Sequence, residues 1–210
     1  MNNLSQKSAL LVDAGTGNLH SVYNALITQG FKIHISDNPV NLNQPGRVIL
    51  PGVGSFGRFM EGLRRRELIE PLKLAVERGD PFLGICVGMQ ALFQTSLEMG
   101  EHPGLGLLPG KVCQFEQRPG FKIPHTGWNQ LWPVSGQTSP ILNDINPGDY
   151  AYFNHSFYCL PAAGDEIVAQ TDYVVEFTSI VQRGNLYGVQ FHPEKSQLTG
   201  LKILQNFMEQ

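Results

Sequence analysis

Phe82-Leu83-Gly84-Ile85-Cys86-Val87-Gly88-Met89-Gln90 is a short apolar run that passes through Gly-x-Cys-x-Gly into a helical stretch. A buried strand that turns directly into a helix is the joint from which parallel α/β folds are assembled. So tight a turn needs small residues at Gly84 and Gly88, because neighbouring backbone comes close. The turn lifts the thiol of Cys86 at the carboxyl end of the strand. There the start of a helix favours negative charge, and the N–H of Val87 can donate to an oxyanion. Taken alone, Cys86 would be a buried small hydrophobe, the common fate of a free cysteine. The two flanking glycines argue for a nucleophile elbow instead.

Working outward, the first half of the chain alternates short apolar runs with amphipathic stretches, joined by Gly, Pro and Asn. Residues 9–12 form a strand, and 20–29 a helix with Val22, Ala25, Leu26 and Gln29 at helical spacing, stopped by Gly30. Residues 31–35 and 47–50 form the next strands, the latter ending in Pro51-Gly52-Val53-Gly54. One long helical region over 58–78 closes at Gly79, and 81–86 is the fourth strand. Right-handed crossovers then imply a parallel sheet with helices on both faces. From residue 111 the pattern changes to strands at 111–116, 129–134, 150–159, 166–171, 177–183 and 186–190, several of them antiparallel. Residues 198–208 form a last helix, with Leu201, Ile203, Leu204 and Phe207 in register. No repeat, low-complexity tract or linker interrupts the chain, so residues 1–210 are expected to form a single domain.

Composition narrows the function. A formal net charge of −3 leaves no footprint for a polyanion, and Arg64-Arg65-Arg66 is too short to create one, so nucleic acid is not an expected partner. Cys86, Cys113 and Cys159 are far apart and odd in number, which suits neither a disulfide framework nor a zinc site. Residues 1–7 lack the apolar core of a signal peptide, and no later run is long enough to span a bilayer. A soluble, cytoplasmic protein is expected.

A thiol nucleophile needs a base. Tyr187-Gly188-Val189-Gln190-Phe191-His192-Pro193-Glu194 puts a histidine at the end of an apolar strand, a rigid proline after it and a carboxylate two residues on. Glu194 can hold the second ring nitrogen of His192 if the chain turns at Pro193. That combination sets His192 ahead of His20, His34, His102, His125 and His155. Cys113 and Cys159 have no comparable setting and are assigned to packing.

The Gly-x-Cys-x-Gly-x-Gln elbow and the late His-Pro-Glu resemble the class I, triad-type glutamine amidotransferases. Within that class the chain is most similar to the glutaminase subunits of imidazole glycerol phosphate synthases, over all but residues 1–6. The particular matches are Asp13-Ala14-Gly15-Thr16-Gly17-Asn18-Leu19, Leu50-Pro51-Gly52-Val53-Gly54-Ser55-Phe56, Gly127-Trp128-Asn129, Tyr152-Phe153-Asn154-His155-Ser156-Phe157-Tyr158 and His192-Pro193-Glu194-Lys195-Ser196. Glutaminases for guanylate, anthranilate or carbamoyl phosphate synthesis usually carry His where Met89 stands. The pyridoxal phosphate synthase glutaminase shares the Gly-Met step but is not expected to show Gly-Trp-Asn or Glu-Lys-Ser, and is the alternative. A non-catalytic regulatory subunit and a stand-alone triad hydrolase are further possibilities, the first opposed by the intact Cys, His and Glu. Val87 for a commoner Leu and Thr126 for a frequent Met are the departures.

The resemblance implies a flavodoxin-like α/β fold, mostly parallel and flanked by helices, with a small additional antiparallel sheet. It implies hydrolysis of glutamine by Cys86, His192 and Glu194, with oxyanion donors from Val87 and from the loop bearing Val53 and Gly54. Substrate contacts would come from Gly52, Gln90, Glu98, His155 and Ser156, Gln90 and Glu98 lying eight residues apart near one face of the elbow's helix. Asn18, Trp128, Tyr152 and Lys195 correspond to positions facing or gating a partner. That partner would be a (β/α)₈-barrel cyclase in a heterodimer, which uses the ammonia to make imidazole glycerol phosphate and AICAR in histidine biosynthesis. No cofactor or metal is implied.

Overall fold

In chain order the first half comprises β1 (Ser8–Val12), α1 (Leu19–Ile27), β2 (Lys32–Ser36), β3 (Arg47–Gly52), α2 (Phe56–Arg65), α3 (Ile69–Glu77), β4 (Phe82–Cys86) and α4 (Val87–Gln90). There follow β5 (Phe93–Ser96), β6 (His102–Pro103), β7 (Leu108–Gln114), β8 (His125–Gln130), β9 (Trp132–Pro133), β10 (Tyr150–His155) and β11 (Phe157–Pro161). The chain ends with β12 (Ile167–Asp172), β13 (Glu176–Arg183), β14 (Leu186–Val189) and α5 (Gln197–Met208). The computed structural model describes residues 7–16 and 18–210. The expectations for residues 1–6, and Gly17 of the 13–19 motif, lie outside the described residues.

Among these residues the main sheet runs β2-β1-β3-β4-β14-β13-β11-β7-β5-β6, with β12 branching from β13 and β9 from β12. Strands β2, β1, β3, β4 and β14 are parallel. The extension through β13, β11 and β7 is antiparallel. β8 and β10 form a separate antiparallel pair. The parallel half has flavodoxin-like order, in which ligands bind beyond the carboxyl ends of the strands. All five residues of β4 are buried, as a parallel strand covered on both faces requires, so it carries no alternation. The small sheet docks through aromatic rings: Phe153 of β10 meets Phe177 of β13 edge to face at 5.6 Å, and Phe191 at 5.7 Å.

Four expectations are corrected. The strand expected over 129–134 is not one element: β8 ends at Gln130 in the small sheet, and after buried Leu131 the chain enters β9, which pairs with β12 in the main sheet. The helix expected over 58–78 is two helices. Glu67 between them is left-handed, with φ 56°. Inside one continuous helix Pro71 could not donate to the preceding turn and its ring would clash there; in the first turn of α3 no donor is needed and no preceding turn stands in the way. The strand expected over 150–159 is broken at Ser156 into β10 and β11, which belong to different sheets. The odd-numbered residues continue one inward face through both, so the period-two pattern conceals the break. Lastly, the helix after the elbow is the single turn α4, and Glu98 lies beyond β5 rather than on it. A one-turn helix has little dipole, so what it offers the site is its free first-turn N–H groups.

Candidate active site

Parallel strands deliver their carboxyl ends to one edge of a sheet, and this brings the distant motifs together. β4 lies between β3 and β14, with Cys86 opposite Gly52 and Ile85 opposite Val189. Gln190 therefore stands beside Cys86, with His192 two residues further on.

Cys86 has φ 54° and ψ −112°, a strained conformation for a side-chain-bearing residue. Close packing of the turn enforces it. A Cβ on Gly84 would lie 2.7 Å from the Gly88 carbonyl oxygen, and one on Gly88 only 1.8 Å from that of Leu50. The expectation that both glycines are demanded by neighbouring backbone therefore has a direct steric basis.

His192 is pinned by its backbone. Its N–H donates to the carbonyl of Tyr152 at 2.9 Å, and its carbonyl accepts from the Ser196 hydroxyl at 2.7 Å. Pro193–Lys195 is a single 3₁₀ turn, which swings Glu194 back under the ring. Glu194 Oε1 accepts from His192 Nδ1 at 3.0 Å with both side chains buried, which leaves Nε2 for the sulfur. Burial opposes a charge on His192, but the Cys86 and Glu194 side chains favour it more strongly and raise its pKa to about 10.

A pH dependence follows. Because this pKa is raised on folding from 6.5, the stabilisation from protonated His192 is complete below about pH 6.5 and is lost as pH rises through about 10. Denaturant unfolding should therefore show stability falling between pH 7 and 10, and falling less steeply in Glu194→Gln. Equal slopes in the two proteins would refute the coupling, since titrations elsewhere cancel in the comparison.

The two residues sit in the wall of a cavity of about 490 Å³. Of the expected residues, Cys86, Val87, Val53, Gly54, Gln90, Glu98, His155, Ser156, His192, Asn18 and Lys195 line it. Gly52, at the end of β3 opposite Cys86, is not among the lining residues, and Glu194 lies behind the histidine. Trp128 and Tyr152 flank the site on the small sheet, their rings T-shaped at 6.0 Å, with Lys195 Nζ 5.8 Å from the Tyr152 ring centroid. Trp128 is 45% exposed and is not a core residue.

Details sharpen several assignments. Gln90 Nε2 donates to the Phe157 carbonyl and to Gln190 Oε1, both at 3.1 Å, so Gln90 offers the cavity only its acceptor oxygen. Glu98 Oε2 accepts from the Phe56 N–H at 2.6 Å, capping α2 just beyond the 51–54 loop. Burial lowers the His155 pKa to about 3, against a raising contribution from the Phe157 carbonyl, with His125 and His192 lowering it further. Burial likewise lowers His125 to about 4. Both rings are neutral at physiological pH, which fits His155 acting through its backbone. Sequence reasoning missed Pro124, Asn154 and Phe157 as lining residues, and Gln190, which contacts Gln90 and Cys86. Asn154 and Phe157 lay inside a quoted motif, and Gln190 in the apolar strand before His192. Among the described residues no group of three or more His, Cys, Asp or Glu could hold a metal, and no helix is long and apolar enough to cross a membrane.

The family "Glutamine amidotransferase class-I" matches residues 10–210. The imidazole glycerol phosphate synthase subunit HisH of Salinibacter ruber is 44% identical over 202 residues, covering 94% of this chain and 92% of its own. That of Gloeobacter violaceus is 46% identical, covering 95% and 88%. The chain belongs to the HisH family of class-I glutamine amidotransferases. Among solved structures, PurLQS from Thermotoga maritima superposes on this HisH-family chain with a TM-score of 0.74 at 23% identity, covering 97% of this chain and 98% of that one. A crystal structure of a glutamine amidotransferase gives 0.73 at 18%, covering 95% and 97%. At such identities these two speak for the fold alone, and they bear out the mixed sheet expected of the HisH family.

Proposed function

We propose that the chain, as a single domain over residues 1–210, hydrolyses glutamine to glutamate and ammonia and passes the ammonia to a cyclase subunit with a (β/α)₈ barrel, in the cytoplasm, for histidine biosynthesis. The observation that carries this reading is a strained cysteine on β4 beside the end of β14, where His192 is backed by a buried carboxylate. The names of the HisH relatives support the synthase reading over the pyridoxal phosphate alternative.

In this mechanism Cys86 Sγ attacks the side-chain carboxamide carbon, and the electron pair of the C=O moves onto oxygen. The N–H of Val87 donates to that oxyanion, and a second donor comes from the loop bearing Val53 and Gly54, where glycines permit a peptide to turn. His192 then protonates the departing nitrogen, which leaves as ammonia, and a thioester remains. Water attacks the thioester, His192 takes its proton, and the C–S bond breaks to release glutamate. Glu194 holds the ring throughout. Gln90 accepts from the substrate, Glu98 meets its α-ammonium group, and Gly52, His155 and Ser156 contribute backbone groups.

Ammonia set free in water would be protonated and lost, so the cavity mouth gains from being covered. Asn18, Trp128, Tyr152 and Lys195 are the residues proposed to face the partner. The test measures glutamate release with the chain alone and with the cyclase subunit and its ribonucleotide substrate. Little turnover alone and strong stimulation by the complex are expected; robust activity of the isolated chain rejects the dependence on a partner.

A further inference from the structure

Gln190 is wholly buried just after β14, and the mechanism above gives it no part. Its Nε2 stands 3.8 Å from Cys86 Sγ, while its Oε1 accepts from Gln90 Nε2 at 3.1 Å. The direction of both amides is forced. Gln90 Nε2 also meets the Phe157 carbonyl at 3.1 Å. A carbonyl only accepts, so the Gln90 atom facing it is nitrogen, and its second hydrogen must find an oxygen on Gln190. The NH₂ of Gln190 is thereby turned to the sulfur.

The same carbonyl anchors a longer chain. It accepts from His155 Nδ1 at 2.7 Å, which makes His155 Nε2 the acceptor for His125 Nδ1 at 3.1 Å. His125 Nε2 then accepts from Asn129 Nδ2 at 3.3 Å, and that nitrogen also donates to the Asp172 carbonyl at 2.8 Å. Every link has one consistent direction with both imidazoles neutral. The amide beside the sulfur is therefore held by a network running back to the small sheet.

We propose that Gln190 is a positioning residue for the nucleophile, donating an N–H to Cys86 Sγ so that the sulfur stays at the cavity wall and its anionic form is favoured. The inference rests on Cys86 being the nucleophile. An amide N–H bonds a thiolate more strongly than a thiol, because the charge assists it. Sγ thus has the base on one side and a fixed dipole on the other.

The test is alkylation of the full chain by iodoacetamide across pH, followed at the Cys86 peptide by mass spectrometry, with half-exposed Cys113 as internal reference. Gln190→Met keeps the volume and removes the donor; Gln190→Glu keeps the shape and turns an acceptor toward the sulfur. In Gln190→Met the Cys86 profile should move up by about one pH unit, which is about tenfold slower reaction at pH values on its rising limb. Gln190→Glu should move it further, with Cys113 unchanged. In the complex, kcat for glutamine should fall by a similar factor and KM by less than about twofold, as expected when an interaction at the reacting atom is lost. A purely packing role would lower thermal stability and leave the Cys86 profile where it was; profiles superimposable on the parent overturn the proposal. Should either variant fail to fold, proton–nitrogen NMR of the unaltered chain decides: the Gln190 side-chain amide resonance must shift on Cys86 alkylation, and constancy overturns the proposal. If alkylation of Cys86 leaves glutamine hydrolysis intact, the nucleophile assignment has failed; if it abolishes turnover while the profiles coincide, only the role of Gln190 has.

Discussion

Alanine at position 86 is expected to lower glutamine hydrolysis by about ten-thousand- to a million-fold, the loss typical of removing a nucleophile from a catalytic triad. The variant deletes the atom that forms the covalent bond in the proposed mechanism, while His192, Glu194 and the N–H of Val87 remain. What is left is the modest help of a bound substrate beside an oxyanion site. The fold should survive. Cys86 is a small residue whose sulfur faces the cavity, and alanine bears the same strain at φ 54° as cysteine does. Glutamate release in the presence of the partner, with thermal unfolding alongside, makes the check. Cys113→Ala, outside the cavity lining, serves as the control and should keep its turnover. Parent-like turnover in Cys86→Ala would remove the catalytic reading altogether.

Gly88→Ala is the second large effect, and it acts on folding rather than chemistry. The new Cβ would lie 1.8 Å from the Leu50 carbonyl oxygen. Both partners are backbone, in β3 and in the first turn after β4, so no side chain can swing aside. Relief requires α4 to move off the sheet, which would also carry Cys86 and Val87 away from His192. Overpacking of ordinary side chains costs about 1–3 kcal/mol, and this backbone contact belongs at or beyond the upper end. For a chain of this size 3 kcal/mol lowers Tm by roughly 6–12 °C. Gly46→Ala is the matched control, because a Cβ there meets nothing within 4 Å. Its Tm should change by no more than about 2–4 °C, the effect of about 1 kcal/mol. Equal melting of the two variants would show that close approach of α4 to β3 is not what demands the glycine.

The sequence was most legible where chemistry is concentrated in a few contiguous residues. Gly84 and Gly88 identify the elbow because a steric demand leaves a mark at the residue itself. Pro193 followed by Glu194 marks the proposed base and its orienter because the contact between His192 and Glu194 is local, two residues apart along one 3₁₀ turn. Glu98 and Gln90 are different. Eight residues suggested a shared helix face, yet a strand separates them, and both reach the cavity because β5 returns alongside β7. The division of 58–78 is marked by Pro71, whereas the break at Ser156 leaves no sign, since both halves obey the same alternation.

By itself, the sequence determined the alternation of strands and helices in the parallel half, apart from the division of 58–78, together with the elbow, the histidine and acid proposed for catalysis, and the resemblance to the amidotransferases. These depend on local sterics, on periodicity and on residue chemistry, all of which are written in neighbouring positions. Only the tertiary structure decided that β14, more than a hundred residues downstream of β4, lies directly against it, which brings His192 to Cys86 and turns the Gln190 amide toward the sulfur. Strand adjacency is a choice among pairings that bury similar apolar area, and it is settled by packing of the whole chain.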